Sequence, residues 1–251
     1  MLRRIRVELP HETLLYVADS GYTPYGNKPV EFIARRSFAI TEFLLERGAK
    51  AIVVACNTAT AAAIAPLRAR FDIPIIGIEP ALKPAVATTR TGVVGILATG
   101  NTVASDKFAD LLDRHGHQAR VLVQPCPGLA DCIEHGDLRG PRPRTLLKRY
   151  LQPLLEQDAD TLVLGCTHYP FLIPVIQRLV GPNVAILDPG PAVARQLHRR
   201  LEAVGKLAGA DVAGSACYFT SGSPEPTAQV MSRLLGHPVT LTALPEHVAV
   251  P

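Results

Sequence analysis

Short apolar runs rich in β-branched residues alternate along this chain with stretches whose apolar positions recur at helical spacing. The runs LLYVAD (Leu14 to Asp19), AIVVA (Ala51 to Ala55), PIIGI (Pro74 to Ile78), GVVGIL (Gly92 to Leu97), ARVLVQ (Ala119 to Gln124), TLVLG (Thr161 to Gly165), VAILD (Val184 to Asp188) and ACYFT (Ala216 to Thr220) predict strands. The clearest predicted helix runs from Val30 to Arg47, with Ile33, Ile40, Phe43 and Leu44 at helical spacing and Gly48 as its stop. Further helices are predicted over Ala59 to Arg70, Ser105 to His115, Arg144 to Gln157, Phe171 to Val180 and Ala192 to Val204. The strand candidates are nearly continuous in apolar residues, as strands covered on both faces must be. The pattern therefore predicts the α/β class, with mostly parallel sheets and helices on both sides.

One internal echo refines this picture. IVVACNTAT (Ile52 to Thr60) and LVLGCTHYP (Leu162 to Pro170) share a plan: a buried apolar strand, a small residue, a Cys, then polar residues including Thr. The two cysteines, Cys56 and Cys166, are 110 residues apart, about the length of one small α/β domain. Two related lobes follow, each presenting a thiol at the carboxyl edge of its sheet, where open α/β sheets bind ligands.

Composition narrows the function classes. Of 251 residues, 47% are apolar and 19% charged, which excludes a disordered chain. The net charge of +4 is scattered, so no nucleic-acid footprint is expected. The densest basic run, Arg139 to Arg149, reads as a solvated loop leading into a helix. The N-terminal MLRRIRVELPHE lacks the apolar stretch of a secretory signal, and no apolar run approaches the roughly 20 residues needed to span a bilayer. A cytoplasmic protein is expected. The five cysteines (Cys56, Cys126, Cys132, Cys166, Cys217) then read as reduced thiols.

A thiol between a strand end and a helix start is expected to have a lowered pKa, because the helix dipole favours the thiolate. Asn57 and Thr58 after one Cys, and Thr167 and His168 after the other, offer polar contacts for a carboxylate. Two such half-sites facing each other would make a polar slot with a thiol on each wall. Racemisation at a carbon acid needs that arrangement: one thiolate removes the α-proton and the opposite thiol returns one to the other face. Donors aimed at the carboxylate would stabilise the developing charge.

Other readings compete. A single Cys ending a buried strand is usually an inert small hydrophobe; two in matched contexts weaken that reading. Cys126 and Cys132 lack zinc-ligand spacing and an accompanying His pair. No Arg follows Cys56 at the spacing of a phosphatase loop, and a cysteine-hydrolase triad leaves the second matched thiol unexplained. No GxGxxG turn, Walker loop or PLP-lysine context is present, and Lys28 and Lys83 read as surface groups. No metal, PLP or nucleotide is expected.

The motifs TPYG (Thr23 to Gly26), ACNTAT (Ala55 to Thr60), IxGIEPALKPA (Ile76 to Ala85), GILATGNTVAS (Gly95 to Ser105) and GCTHYP (Gly165 to Pro170) resemble, in order and spacing, the glutamate racemases of the aspartate/glutamate racemase superfamily. The resemblance covers essentially the whole chain. It implies Cys56 and Cys166 as the two proton donors and acceptors, with Tyr25, Gly26, Asn57, Thr58, Thr167 and His168 lining a glutamate site. It also implies that His168 sets the protonation of Cys166, that Glu134 supports that side, and that Thr99 or Thr102 adds a carboxylate contact. For Glu134, a solvated helix residue before a Gly stop is the competing reading.

The fold implied is two similar three-layer α/β lobes with the active site in the cleft between them. Residues 1–80 plus 189–251 would form the Cys56 lobe and 81–188 the Cys166 lobe. The implied reaction is interconversion of L- and D-glutamate for peptidoglycan and hence cell-wall synthesis, by an enzyme with glutamate as its small-molecule partner and a homodimer as its candidate assembly. The family normally begins with a strand and a DSGxGG turn, whereas LRRIRVELPHE here resembles the stretch on the C-terminal side of that turn. Asp19-Ser20-Gly21 precedes TPYG directly and is not the same element. The resemblance thus implies a first lobe without that strand, less stable and weakly active, from a start assigned too late or a shortened chain. Rival readings are another racemase of the superfamily, such as one for aspartate, and a degenerate protein that only binds an acidic metabolite.

Overall fold

The computed structural model describes residues 1–249. In chain order the elements are α1 (Leu2–Glu8), β1 (Leu14–Ala18), α2 (Val30–Glu46), β2 (Ile52–Val53), α3 (Asn57–Arg70), β3 (Ile75–Ile76), α4 (Leu82–Thr88), β4 (Val93–Ala98), α5 (Gly100–Val103), α6 (Asp106–His115), β5 (Arg120–Pro125), α7 (Leu129–Glu134), α8 (Pro141–Leu155), β6 (Thr161–Gly165), α9 (Ile173–Val180), β7 (Ala185–Leu187), α10 (Gly190–Ala203), β8 (Ala216–Thr220), α11 (Pro224–Leu235), β9 (Leu241–Ala243) and α12 (Glu246–Ala249). Among the described residues every strand pair is parallel. No described helix is long and apolar enough to cross a membrane.

The chain divides into two compact units. One comprises Met1–Ala55, Ala62–Ile78 and the chain from Gly190 onward; the other comprises Cys56–Ala61 and Glu79–Pro189. The division passes through α3, whose first turn belongs with the second unit.

The second unit is built on a sheet of order β5-β4-β6-β7. Every residue of β4 and β6 is buried, as their almost wholly apolar sequences require. Val94, Ile96, Ala98 and Val163 face α4 and α6, packing on Leu82, Ala85, Phe108 and Leu111. The opposite face carries α8: Leu154 and Leu162 fill the space over Gly95 so closely that a Cβ there would lie within 3 Å of both. Each fully buried Leu or Val of this sheet contributes about 1.5–3 kcal/mol of transfer free energy. Helices on both faces make this unit three-layered.

The first unit holds a three-stranded sheet of order β1-β8-β9 and the pair β2-β3. Ile5 and Leu9, in and just after α1, pack on Val193, Leu197 and Leu201 of α10. That contact explains α1, which the periodicity does not predict: a seven-residue helix is marginal by itself and is held here by tertiary packing. The strands read as AIVVA and PIIGI pair over two residues only. The basic run 139–149, read as a loop leading into a helix from Arg144, enters that helix three residues earlier. α8 begins at Pro141, whose fixed φ suits the first helical position, so most of the run is helix.

Candidate active site

Cys56 stands between β2 and α3, and its carbonyl accepts from the Thr60 amide at 2.8 Å, closing the first turn of the helix. Its Sγ accepts from the Ala59 N–H at 3.5 Å. The thiol therefore caps the orphan donors of α3, the interaction that favours a thiolate. The net direction is nevertheless upward. Burial pushes the Cys56 thiol above its ordinary value, the Ala59 amide pulls it down, the Cys166 charge pushes it up, and His168 lowers it again. This corrects the expectation of a lowered pKa at Cys56: desolvation outweighs the helix start. The same ordering of effects identifies Cys166 and His168 as electrostatic neighbours of Cys56.

Cys166 follows β6 directly and is buried. At Gly165 a Cβ would lie 2.9 Å from the Leu97 carbonyl oxygen and 3.1 Å from the Ala98 Cβ. Only glycine lets β6 run this close to β4 at the point where the thiol emerges. The Cys166 Sγ lies 3.5 Å from His168 Nδ1, and His168 Nε2 lies 2.6 Å from Glu134 Oε1. The imidazole thus bridges a thiol and a carboxylate. Burial lowers the His168 pKa, but the bonds and charges of Cys166 and Glu134 outweigh it and hold the value well above 6.5. Imidazolium is favoured beside the sulfur.

Thr58, Thr99 and Thr102 form a ring of hydroxyls with separations of 3.0, 3.1 and 2.9 Å. Thr58 comes from the first turn of α3, and the other two from the N-terminal turn around α5. This cluster ties the Cys56–Ala61 segment to the second unit. Asn57 is buried, and both the oxygen and the nitrogen of its side-chain amide lack a partner. A buried amide left unpaired costs free energy unless a ligand completes it. Thr167 is half-buried between Cys166 and His168. Nine of the residues singled out in the sequence — Cys56, Asn57, Thr58, Thr99, Thr102, Glu134, Cys166, Thr167 and His168 — thus belong to one unit.

Tyr25 and Gly26 belong to the other. They form a single 3-10 turn, Tyr25–Asn27, anchored by a buried network. The Tyr25 hydroxyl donates to Asp19, and Arg36 grips the same carboxylate through Nε at 3.1 Å and a terminal nitrogen at 2.6 Å. Arg36 also donates to the Val248 carbonyl and is fully buried. Among the described residues no group of three or more His, Cys, Asp or Glu side chains is arranged to hold a metal ion. All five cysteines are unpaired.

The family description Asp/Glu/Hydantoin racemase matches residues 1–197. The chain belongs to the Asp/Glu/Hydantoin racemase family. Within this family it is 56% identical over 225 residues to a glutamate racemase of Methylococcus capsulatus, which covers 90% of this chain and 83% of that relative. Among solved structures, glutamate racemase isoform RacE1 of Bacillus anthracis superposes with a TM-score of 0.88 at 33% identity, covering 98% of this chain and 92% of that one. The Escherichia coli glutamate racemase, solved in complex with L-glutamate and the activator UDP-MurNAc-Ala, gives a TM-score of 0.85 at 32% identity, with 97% and 92% covered.

Two sets of contacts in this chain carried no local signal in the sequence. The Asp19–Arg36 pair joins a strand end to the middle of a helix read as amphipathic, where an Arg normally signals solvent. The resemblance names Thr58, Thr99 and Thr102 one by one, but no local pattern shows that their hydroxyls meet, because Thr58 lies more than forty positions from the other two.

Proposed function

We propose that this chain is a cofactor-independent glutamate racemase interconverting L- and D-glutamate, with Cys56 and Cys166 as the paired proton donor and acceptor. The observation that carries the reading is the linked Cys166–His168–Glu134 set in the same unit as the Cys56 thiol, which has Cys166 and His168 as electrostatic neighbours. A charge on Cys166 raises the pKa of Cys56. Like charges so placed resist double ionisation, so the two thiols are not ionised together. Two-base racemisation starts with one thiolate facing one thiol. The thiolate takes the α-proton, the thiol protonates the opposite face, and the roles are reversed for the other enantiomer.

In this reading Asn57, Thr58 and Thr167 bind the glutamate carboxylates, with Thr99 and Thr102 completing the hydroxyl cluster at Thr58. The unpaired Asn57 amide supports a polar ligand at that position. Tyr25 and Gly26 are assigned to substrate binding on the resemblance alone. His168, held by Glu134, sets the protonation of Cys166. The protein would act in the cytoplasm as a homodimer, with no nucleic-acid partner, supplying D-glutamate for peptidoglycan.

Incubation with L- or D-glutamate in deuterated water tests this directly. Deuterium should enter at the α-carbon as the opposite enantiomer accumulates, and Cys56→Ala and Cys166→Ala should each stop full racemisation. Undiminished racemisation by either variant would refute the two-thiol scheme.

A further inference from the structure

We propose that Tyr150, which lies outside every recognised motif, is a positioning residue for the Glu134–His168 pair: it holds the entry of α7 so that this helix delivers the Glu134 carboxylate to the imidazole. What His168 then does for catalysis rests on the racemase reading; the positioning itself does not.

The geometry runs from α8 through a loop to α7. The Tyr150 hydroxyl donates to the Pro127 carbonyl at 2.7 Å. The adjoining Cys126 is held by its amide, which donates to the Ala98 carbonyl at 2.9 Å, and by its carbonyl, which accepts from the Tyr169 hydroxyl at 3.4 Å. α7 starts two residues after Pro127, with no side-chain cap at its N-terminus. Its direction is therefore set by this loop and by its buried residues Leu129, Ala130, Cys132 and Ile133. Glu134 is the last residue of α7, and its Oε1 meets His168 Nε2 at 2.6 Å.

The lever is short and the tolerance small. A rise of 1.5 Å per residue places Glu134 roughly 8 Å from the start of α7. A tilt of about 5° at the entry moves the far end by roughly 0.7 Å, enough to stretch the Glu134–His168 contact beyond the usual hydrogen-bond range of about 3.2 Å. The Tyr150 ring is already buried on α8, so replacing it by Phe keeps the packing and removes the one bond to Pro127.

The test is the titration of His168 by histidine ring NMR in the full chain, with the signal assigned from His168→Gln. The titratable groups that face His168 are the Cys166 and Cys56 thiols and the Glu134 carboxylate. Those that face Tyr150 are Cys126, Cys132 and Arg149. In Tyr150→Phe the His168 midpoint should fall by about half a pH unit or more, a fraction of the 1–3 units an adjacent opposite charge contributes. Leu154→Ala, which loosens α8 without touching Pro127, should lower Tm and leave the His168 midpoint in place. An unchanged midpoint in folded Tyr150→Phe overturns the proposal, as does an equal shift in Leu154→Ala. Because the titration needs no substrate, a midpoint that falls in a chain unable to racemise glutamate would keep the positioning role and sink the racemase reading.

Discussion

Replacing Glu134 by Gln removes one negative charge while keeping an oxygen and nearly the same shape. In the native chain the carboxylate lies 2.6 Å from His168 Nε2, with the two side chains 28% and 22% exposed. Burial alone would depress the His168 pKa, and the contributions of Cys166 and Glu134 reverse it. An opposite charge at this range is worth about 1–3 pH units, and each unit about 1.4 kcal/mol. Partial exposure puts this pair toward the lower end, so Glu134→Gln should lower the midpoint by about 1–2 units, or roughly 1–3 kcal/mol. The direct assay is the same ring NMR titration.

Stability follows the sign of the shift. A His whose folded pKa is raised contributes stability that is complete below its unfolded value near 6.5 and is lost as pH rises through the folded value. The deficit of Glu134→Gln in urea unfolding should therefore be largest at roughly pH 5 to 6.5 and fade on the alkaline side. At neutral pH the racemisation rate should drop by about tenfold or more, since each 1.4 kcal/mol of lost charge stabilisation is a factor of ten. Two enantiomers are equal in free energy, so kcat/KM must fall equally in both directions even where kcat and KM separately do not. A His168 midpoint left in place by the substitution would refute this account of how the imidazole is charged.

Two further outcomes are expected. Gly165→Ala would push a methyl group against the Leu97 carbonyl and the Ala98 side chain, displacing the segment that presents Cys166; a loss of about 1–3 kcal/mol by thermal or urea unfolding, and of most glutamate turnover, should accompany it. Asp160 accepts hydrogen bonds from the Thr89 and Thr161 hydroxyls and from the Arg90 and Thr91 amides. Although burial raises its pKa, these bonds lower it to about 2. Its stabilisation is thus present above the unfolded value near 3.9 and is lost as pH falls through about 2. Asp160→Asn should cost up to about 2 kcal/mol at pH 7 in urea unfolding, with the two curves converging near pH 2.

Some of this protein is written locally in its chain. β4 and β6 are almost wholly apolar runs, which a strand covered on both faces demands, and α2 shows its helical period up to its stop at Gly48. The matched settings of Cys56 and Cys166 likewise point to paired thiol chemistry before any coordinates exist. Strand AIVVA is legible as a strand, but its short pairing with PIIGI is not, because pairing depends on the partner's register. β9 and α7 are too short to show a period at all, and α1 exists because α10 covers Ile5.

Tertiary structure alone decides which distant groups share a low-dielectric environment. The first turn of α3 clusters with the second unit because Thr58 meets Thr99 and Thr102. Arg36 lies fully buried because Asp19 and the Val248 carbonyl satisfy it. Glu134 meets His168 rather than solvent, and the Cys56 thiol is pushed up where the helix start alone predicts the reverse. Propensity and hydrophobic period act over a few residues, and a sequence displays them. Desolvation and charge coupling act through space between residues far apart in the chain, and they are set only once the layers have packed.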